Sequence, residues 1–117
     1  MGHDRLIWRG EIYDIELGHH PVGHEPAFRR PAVVVSTDII NNGPGEVVVV
    51  VPVGSTSYGL RSHVELERGS SGLDRPSYAR CDQIRVISTK RLVTRRGIAG
   101  LHEIQAIDQA LRFILEL

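Results

Sequence analysis

The segment EVVVVVPVGSTSYGLRSHVEL, Glu46 to Leu66, constrains this chain more than any other. Val47 to Val51 form an unbroken valine run. Such β-branched density favours an extended strand buried on both faces. Directly after Pro52 and Val53 come Gly54, Ser55, Thr56 and Ser57, small residues that favour a turn. The end of a rigid buried strand is a good platform for a positioned group. GSTSYGL nevertheless lacks the glycine and lysine spacing of a phosphate-binding P-loop, and on its own it reads as a plain turn.

The segments around this central strand, Val47 to Val53, are also largely extended. WRGEIYDIEL alternates, with Ile12 and Asp14 on one side and Tyr13, Ile15 and Leu17 on the other, the pattern of a half-buried strand. PAVVVST is a second strand, opened by Pro31 where a missing N–H is tolerated. SHVELE alternates again, and Tyr78 to Ser88 holds one or two further strands. Asn41 to Gly45 and Gly69 to Pro76 read as turns, and GHHPVGHEPAFRR as a loop without periodicity. The period then changes: Leu101, Ile104, Ile107, Leu111, Ile114 and Leu115 fall at helical spacing. Short strands followed by one amphipathic helix predict a mainly β (α+β) fold, a small, strongly curved antiparallel barrel with a C-terminal helix packed on it.

At 117 residues the chain is read as a single domain, 1–117, too short for two. No apolar run reaches membrane-spanning length and no secretory pattern opens the chain, so a soluble, cytoplasmic protein without a membrane partner is expected. The 14 basic and 14 acidic residues cancel, which argues against a general electrostatic attractor for nucleic acid. All the basic residues but Lys90 are arginines, the better fork for phosphate oxygens, although a GC-rich genome produces the same bias.

The single cysteine, Cys81, excludes an internal disulfide and a cysteine-rich zinc site, and a lone cysteine on a strand is ordinarily a small buried apolar residue. His19, His20 and His24 share one loop. Adjacent His19 and His20 cannot easily face the same ion, and no nearby cysteine completes a set, so these are read as solvated side chains with no metal and no cofactor. Arg29 and Arg30 directly precede the second strand. Spacing alone leaves them open between a solvated pair and a clamp on a phosphodiester.

Taken in order, these pieces resemble the MazF/PemK family of toxin endoribonucleases. RGEIYDIELG is similar to its opening strand and RRPAVVVSTD to its Arg-Pro-hydrophobic stretch. VVVVVPVGSTSYGLRSHVEL is similar to its valine-rich strand ending in Pro-x-Thr, and CDQIRVISTKRL to its Gln-Ile-Arg motif. The match runs from about Arg9 to Leu117. It implies an SH3-like barrel of the kind shared with CcdB toxins and a symmetric homodimer. It also implies metal-independent cleavage of single-stranded RNA to 2′,3′-cyclic phosphate and 5′-hydroxyl ends. The implied partner is a MazE-like antitoxin whose acidic tail occupies the RNA groove. Whether the target is messenger, transfer or ribosomal RNA stays open.

Arg30 falls on the family's catalytic arginine. The family's catalytic threonine aligns with Gly54, which has no side chain, so the hydroxyl is expected from Thr56 or Ser55. By strand alternation Ser55 would point away from the catalytic side and Thr56 would return to it. RNA contacts are expected from Gly23, His24, Glu25, Arg29, Gly54, Arg61, His63 and Gln83. Gly23 and Glu25 match a family loop from which His24 and Pro26 depart. His63, just after the hydroxyl loop, could serve as a base, with packing or solvation as its ordinary role. Two alternatives accompany this reading: an impaired member that binds RNA or antitoxin without efficient cleavage, and a CcdB-like gyrase-directed toxin. The Arg-Pro and Gln-Ile-Arg motifs point away from the second.

Overall fold

The computed structural model describes residues 6–18 and 29–117. Its strands are β1 (Glu11–Glu16), β2 (Arg29–Val34), β3 (Val47–Gly54), β4 (His63–Leu66), β5 (Ser77–Arg80), β6 (Arg85–Ser88) and β7 (Leu92–Ile98). A short helix α1 (Asp38–Asn41) lies between β2 and β3, and α2 (Leu101–Leu115) ends the chain. The strands form one antiparallel sheet in the order β4-β5-β3-β2-β1-β7, and β6 pairs with β3 off that path.

The valine run is the hub. Along one edge of β3, Val50, Val51 and Pro52 pair with Val34, Val33 and Ala32 of β2. Along the other edge, Val47 to Val50 pair with β6, and Val53 and Gly54 pair with Ala79 and Tyr78 of β5. The hand-over between β6 and β5 occurs at a 3-10 turn, Cys81–Gln83. Because successive strand residues point to opposite faces, the run feeds two cores. Val51 and Val53 join Ile12, Val33, Leu66, Ala79, Cys81 and Ile107 under α2, with Val49 packed against them. Val48 and Val50 join Tyr13, Ile15, Ala32, Val34, Ile87 and Leu92 on the other side.

This two-sided burial corrects the expectation for β1. Ile12, Tyr13 and Ile15 are all buried, the first under α2 and the other two in the second core. Strand β7 was not anticipated from the sequence. It pairs with β1 and breaks register twice, between Ile12 and Tyr13 and between Asp14 and Ile15.

The sheet curls without closing through strand pairing, since β4 and β7 are its two ends. The loop after β4 spans the gap: Ile98 N–H donates to the Ser70 carbonyl (2.8 Å), and the Arg96 guanidinium donates to the Gly72 carbonyl (3.0 Å). Gly72 has φ +72°, and a Cβ there would lie 1.9 Å from the Arg96 carbonyl oxygen, so this backbone-on-backbone contact requires glycine.

Helix α2 packs on β4 and the 3-10 turn, burying Glu103, Ile107 and Ala110. Glu103 in its first turn accepts from Gly100 N–H (2.5 Å) and from Glu67 N–H, supplying negative charge where the helix dipole favours it. Arg9 ties the helix to the sheet, its Nε donating to the Val35 carbonyl (2.8 Å) and its Nη2 to Asp108. Among the described residues no helix is long and apolar enough to cross a membrane.

Candidate active site

Where β3 ends, the chain bends at Ser55, and a polar cleft of about 530 Å³ opens beside it. Arg30 enters from the second residue of β2, which pairs with buried Ile15 of β1. The β2–β3 register (Ala32 with Pro52, Val33 with Val51) carries Arg30 toward the end of β3, and its Nη1 donates to the Val53 carbonyl at 3.4 Å. Gly54, Ser55 and Thr56 line the same cleft. Because β3 stops at Gly54, strand alternation does not continue past it. Ser55, expected to point away, lines the cleft alongside Thr56, and both are exposed.

Four arginines line the cleft, and they differ in their partners. Arg96 Nη1 donates to Asp14 (3.0 Å), and Arg75 lies 3.8 Å from Asp74 in an exposed pair. Arg30 and Arg80 pair with no carboxylate among the described residues, and the Nε of each is buried without an acceptor there. Burial, and then the neighbouring Arg80 charge, push the Arg30 guanidinium below the ordinary arginine range. Buried donors with no acceptor are costly, and two cations side by side repel. Such a cleft is prepared for an anion.

Arg80 was missed in the sequence. It ends β5, two residues after Tyr78, which pairs with Gly54. A Cβ built on Gly54 would lie 2.4–2.5 Å from Nη2, Cζ and Nε of Arg80. The space left by the absent side chain of Gly54 is therefore filled by a guanidinium from the next strand. The guanidinium carbon also sits 5.5 Å from the Tyr58 ring centroid, within cation–π range. Only the β3–β5 register could have revealed this neighbour.

The other anticipated residues lie elsewhere. Arg29 is exposed and pairs with Glu16 at 3.3 Å, the solvated alternative left open above. Arg61 stacks on Phe113 of α2 (4.1 Å to the ring centroid) and lines a separate groove with His63. The His63 side chain is buried, with Nε2 3.1 Å from Asp82 and the Tyr58 ring edge-on at 5.9 Å. Gln83 sits in the 3-10 turn, its Oε1 buried without a donor among the described residues. Gly23, His24 and Glu25, like His19 and His20, lie outside the described residues. Cys81 is fully buried, and burial followed by the Asp82 charge pushes its thiol up to about 12, as suits a core residue rather than a nucleophile. Among the described residues no three His, Cys, Asp or Glu side chains gather to hold a metal.

The cleft can bind a phosphodiester: two guanidiniums supply forked donors and two hydroxyls stand at its rim. Comparison with known proteins agrees in fold and family. Residues 8–115 match the model of the PemK-like, MazF-like toxin of type II toxin–antitoxin systems. The chain is 37% identical over 118 residues to Endoribonuclease MazF9 of Mycobacterium tuberculosis, covering 96% of this chain and 98% of that one. It is 31% identical over 114 residues to Endoribonuclease MazF of Staphylococcus epidermidis, covering 96% and 93%. Among solved structures, MazF of Deinococcus radiodurans superposes with a TM-score of 0.80 at 22% identity, covering 97% of this chain and all of that one. A mycobacterial endoribonuclease in complex with its cognate antitoxin superposes with a TM-score of 0.78 at 22% identity, covering 95% and 96%.

Proposed function

The chain belongs to the PemK-like, MazF-like toxin family, and from that premise we propose how it acts: as an endoribonuclease that cuts single-stranded RNA in the Arg30 cleft. The observation that carries this reading is the Arg30 guanidinium, half-buried beside the hydroxyl loop with no carboxylate partner among the described residues. The RNA supplies its own nucleophile. Its 2′-hydroxyl attacks the adjacent phosphorus while the bond to the 5′-oxygen breaks, leaving a 2′,3′-cyclic phosphate and a 5′-hydroxyl. Negative charge builds on the non-bridging oxygens, and Arg30 is placed to stabilise it. Arginine stays cationic at neutral pH, so Arg30 acts as the electrostatic clamp rather than as a base. Thr56 or Ser55 donates a further hydrogen bond, and this route calls on no metal or cofactor.

We further propose that the chain works in the cytoplasm as a homodimer, and that the acidic tail of a MazE-like antitoxin competes with RNA for this cleft. Exposed Leu6, Trp8, Ile39, Val86, Val93 and Leu101 offer apolar surface for association.

The test is to map the ends left on a long unstructured RNA and to compare the parent with Arg30→Ala. Cyclic-phosphate ends and a rate lowered about 100-fold, the scale of one lost oxyanion donor, are expected. Ends bearing a 3′-hydroxyl, or an Arg30→Ala variant as fast as the parent, would overturn the assignment. The impaired-member reading, favoured by the absent threonine at Gly54, predicts RNA that is bound and left uncut.

A further inference from the structure

We propose that Tyr58 is a base-binding residue of this protein, its ring stacking on the base of a nucleotide next to the phosphate held at Arg30. The inference deepens the proposed function and rests on the cleft being the RNA site. It gives a task to a side chain that had none in the sequence reading.

Tyr58 is the first large side chain after β3, following the small residues Ser55, Thr56 and Ser57, and Gly59 (φ +65°) turns the chain directly after it. It is 55% exposed. A single exposed apolar side chain is ordinary in itself. What sets this ring apart is how it is held. The guanidinium carbon of Arg80, which lines the cleft, lies 5.5 Å from the ring centroid. The His63 ring meets it at 5.9 Å with an interplanar angle of 78°. These two supports are cross-strand partners, since His63 of β4 pairs with Arg80 of β5. His63 is fixed in turn, its side chain buried and its Nε2 3.1 Å from Asp82. A loop residue is thus anchored by two side chains rooted in the sheet, yet more than half of it stays open to solvent.

Single-stranded RNA is gripped in two ways: cations take its phosphates and aromatic rings take the faces of its bases. The cleft supplies the cations, and Tyr58 stands one side chain away from them. A base lies one ribose from its phosphate, so a strand whose phosphate sits at Arg30 brings a neighbouring base within reach of this ring. Because the ring is ordered before RNA arrives, little side-chain freedom is lost when the base settles on it. Every base has a π-face, so the stack requires a base at that position while discriminating weakly among the four. Tyr58 therefore sets the register of the strand against the cleft, and the identity of that base is read only by its stacking strength.

The test pairs Tyr58→Ala, Tyr58→Leu and Tyr58→Phe, each checked for its urea midpoint, with short RNAs spanning one mapped cut. In these RNAs an abasic ribonucleotide replaces, in turn, the nucleotide on either side of the scissile phosphate. On intact RNA, Tyr58→Ala and Tyr58→Leu should lower kcat/KM about 10-fold, the scale of one base–aromatic stack, and Tyr58→Phe should keep the parent's value. One of the two abasic RNAs should cost the parent about as much and cost Tyr58→Ala nothing further, since ring and base are two halves of one contact. That non-additivity separates stacking from a structural role: a ring that merely steadied Arg80 would slow intact and abasic RNA by the same factor. Additive losses on both abasic RNAs, or a Tyr58→Leu variant as active as the parent, would overturn the proposal. With Arg30→Ala slow in the same assay, either result would leave the proposed function standing. If the parent cuts no RNA, the proposed function fails and anisotropy with a mixed-sequence 2′-O-methyl RNA decides. Binding weakened by Tyr58→Leu and kept by Tyr58→Phe supports the stack, whereas equal binding, or none by the parent, refutes it.

Discussion

Replacing Glu11 with glutamine tests whether the unanticipated β1–β7 seam is held by a buried charge. Glu11 is 2% exposed. Its Oε1 accepts from Trp8 N–H (2.7 Å) and the Tyr13 hydroxyl (3.3 Å), and its Oε2 accepts from Arg95 Nε on β7. Glutamine keeps one acceptor for Trp8 and Tyr13 but turns an NH2 toward the Arg95 donor. The loss is then one charge-assisted hydrogen bond, about 1.5–3 kcal/mol. The larger penalty for a stranded buried ion does not apply, because the Arg95 side chain is 36% exposed and can turn to water. Glu11→Gln should therefore cost about 2 kcal/mol, or roughly 8–12 °C in Tm at fixed protein concentration.

The same carboxylate predicts a pH dependence. Burial alone would raise its pKa, but the bonds from Trp8, Arg95 and Tyr13, with the Arg95 charge, outweigh burial and hold it below 4.5. With the folded value depressed, the stabilisation is fully present above the unfolded pKa and is lost as pH falls through the folded one. Urea titrations at pH 7 and at pH 5 should show the same gap between parent and Glu11→Gln, and that gap should close in more acidic solution. A variant within about 0.5 kcal/mol of the parent at pH 7, the range of an ordinary surface change, would refute the argument. So would a gap that widens in acid.

Gly72→Ala and Gly69→Ala form a matched pair, since both glycines have positive φ (+72° and +89°) but only Gly72 is crowded by backbone. By urea denaturation Gly69→Ala should cost about 1–2 kcal/mol, the ordinary penalty of the left-handed region, and Gly72→Ala distinctly more. Cys81, with its thiol pushed up to about 12, should resist alkylation at pH 8 in the folded protein and react once urea exposes it; prompt labelling of the native state would contradict its burial. Arg29→Ala removes an exposed ion pair with Glu16 and should change the urea-derived stability by less than about 1 kcal/mol, in contrast to the loss of cleavage expected for its neighbour Arg30.

Much of this fold could be read in one dimension, because its determinants are local. A valine run has few alternatives to a buried strand, and Leu101 to Leu115 carries a helical period that survives as α2. The family motifs also brought Arg30 and the Gly54–Ser55–Thr56 loop together, and they share one cleft. β7 stayed hidden because LVTRRGI places Thr94, Arg95 and Arg96 in mid-strand. Those arginines become acceptable there only when β1 supplies Glu11 and Asp14 across the seam. Arg80 stayed hidden for a related reason. Residues 54 and 80 are far apart in the chain, and neither is unusual alone. The β3–β5 register and the absence of a Cβ at Gly54 let a guanidinium fill that space beside Arg30. The sequence by itself determined the extension of every strand but β7, the coiling of the C-terminal segment and the point where a hydroxyl loop leaves the core. Tertiary structure decided which charges are neutralised and which stay unpaired in the cleft, because a charge's partner is set by distance in space and strand pairing makes distant residues neighbours.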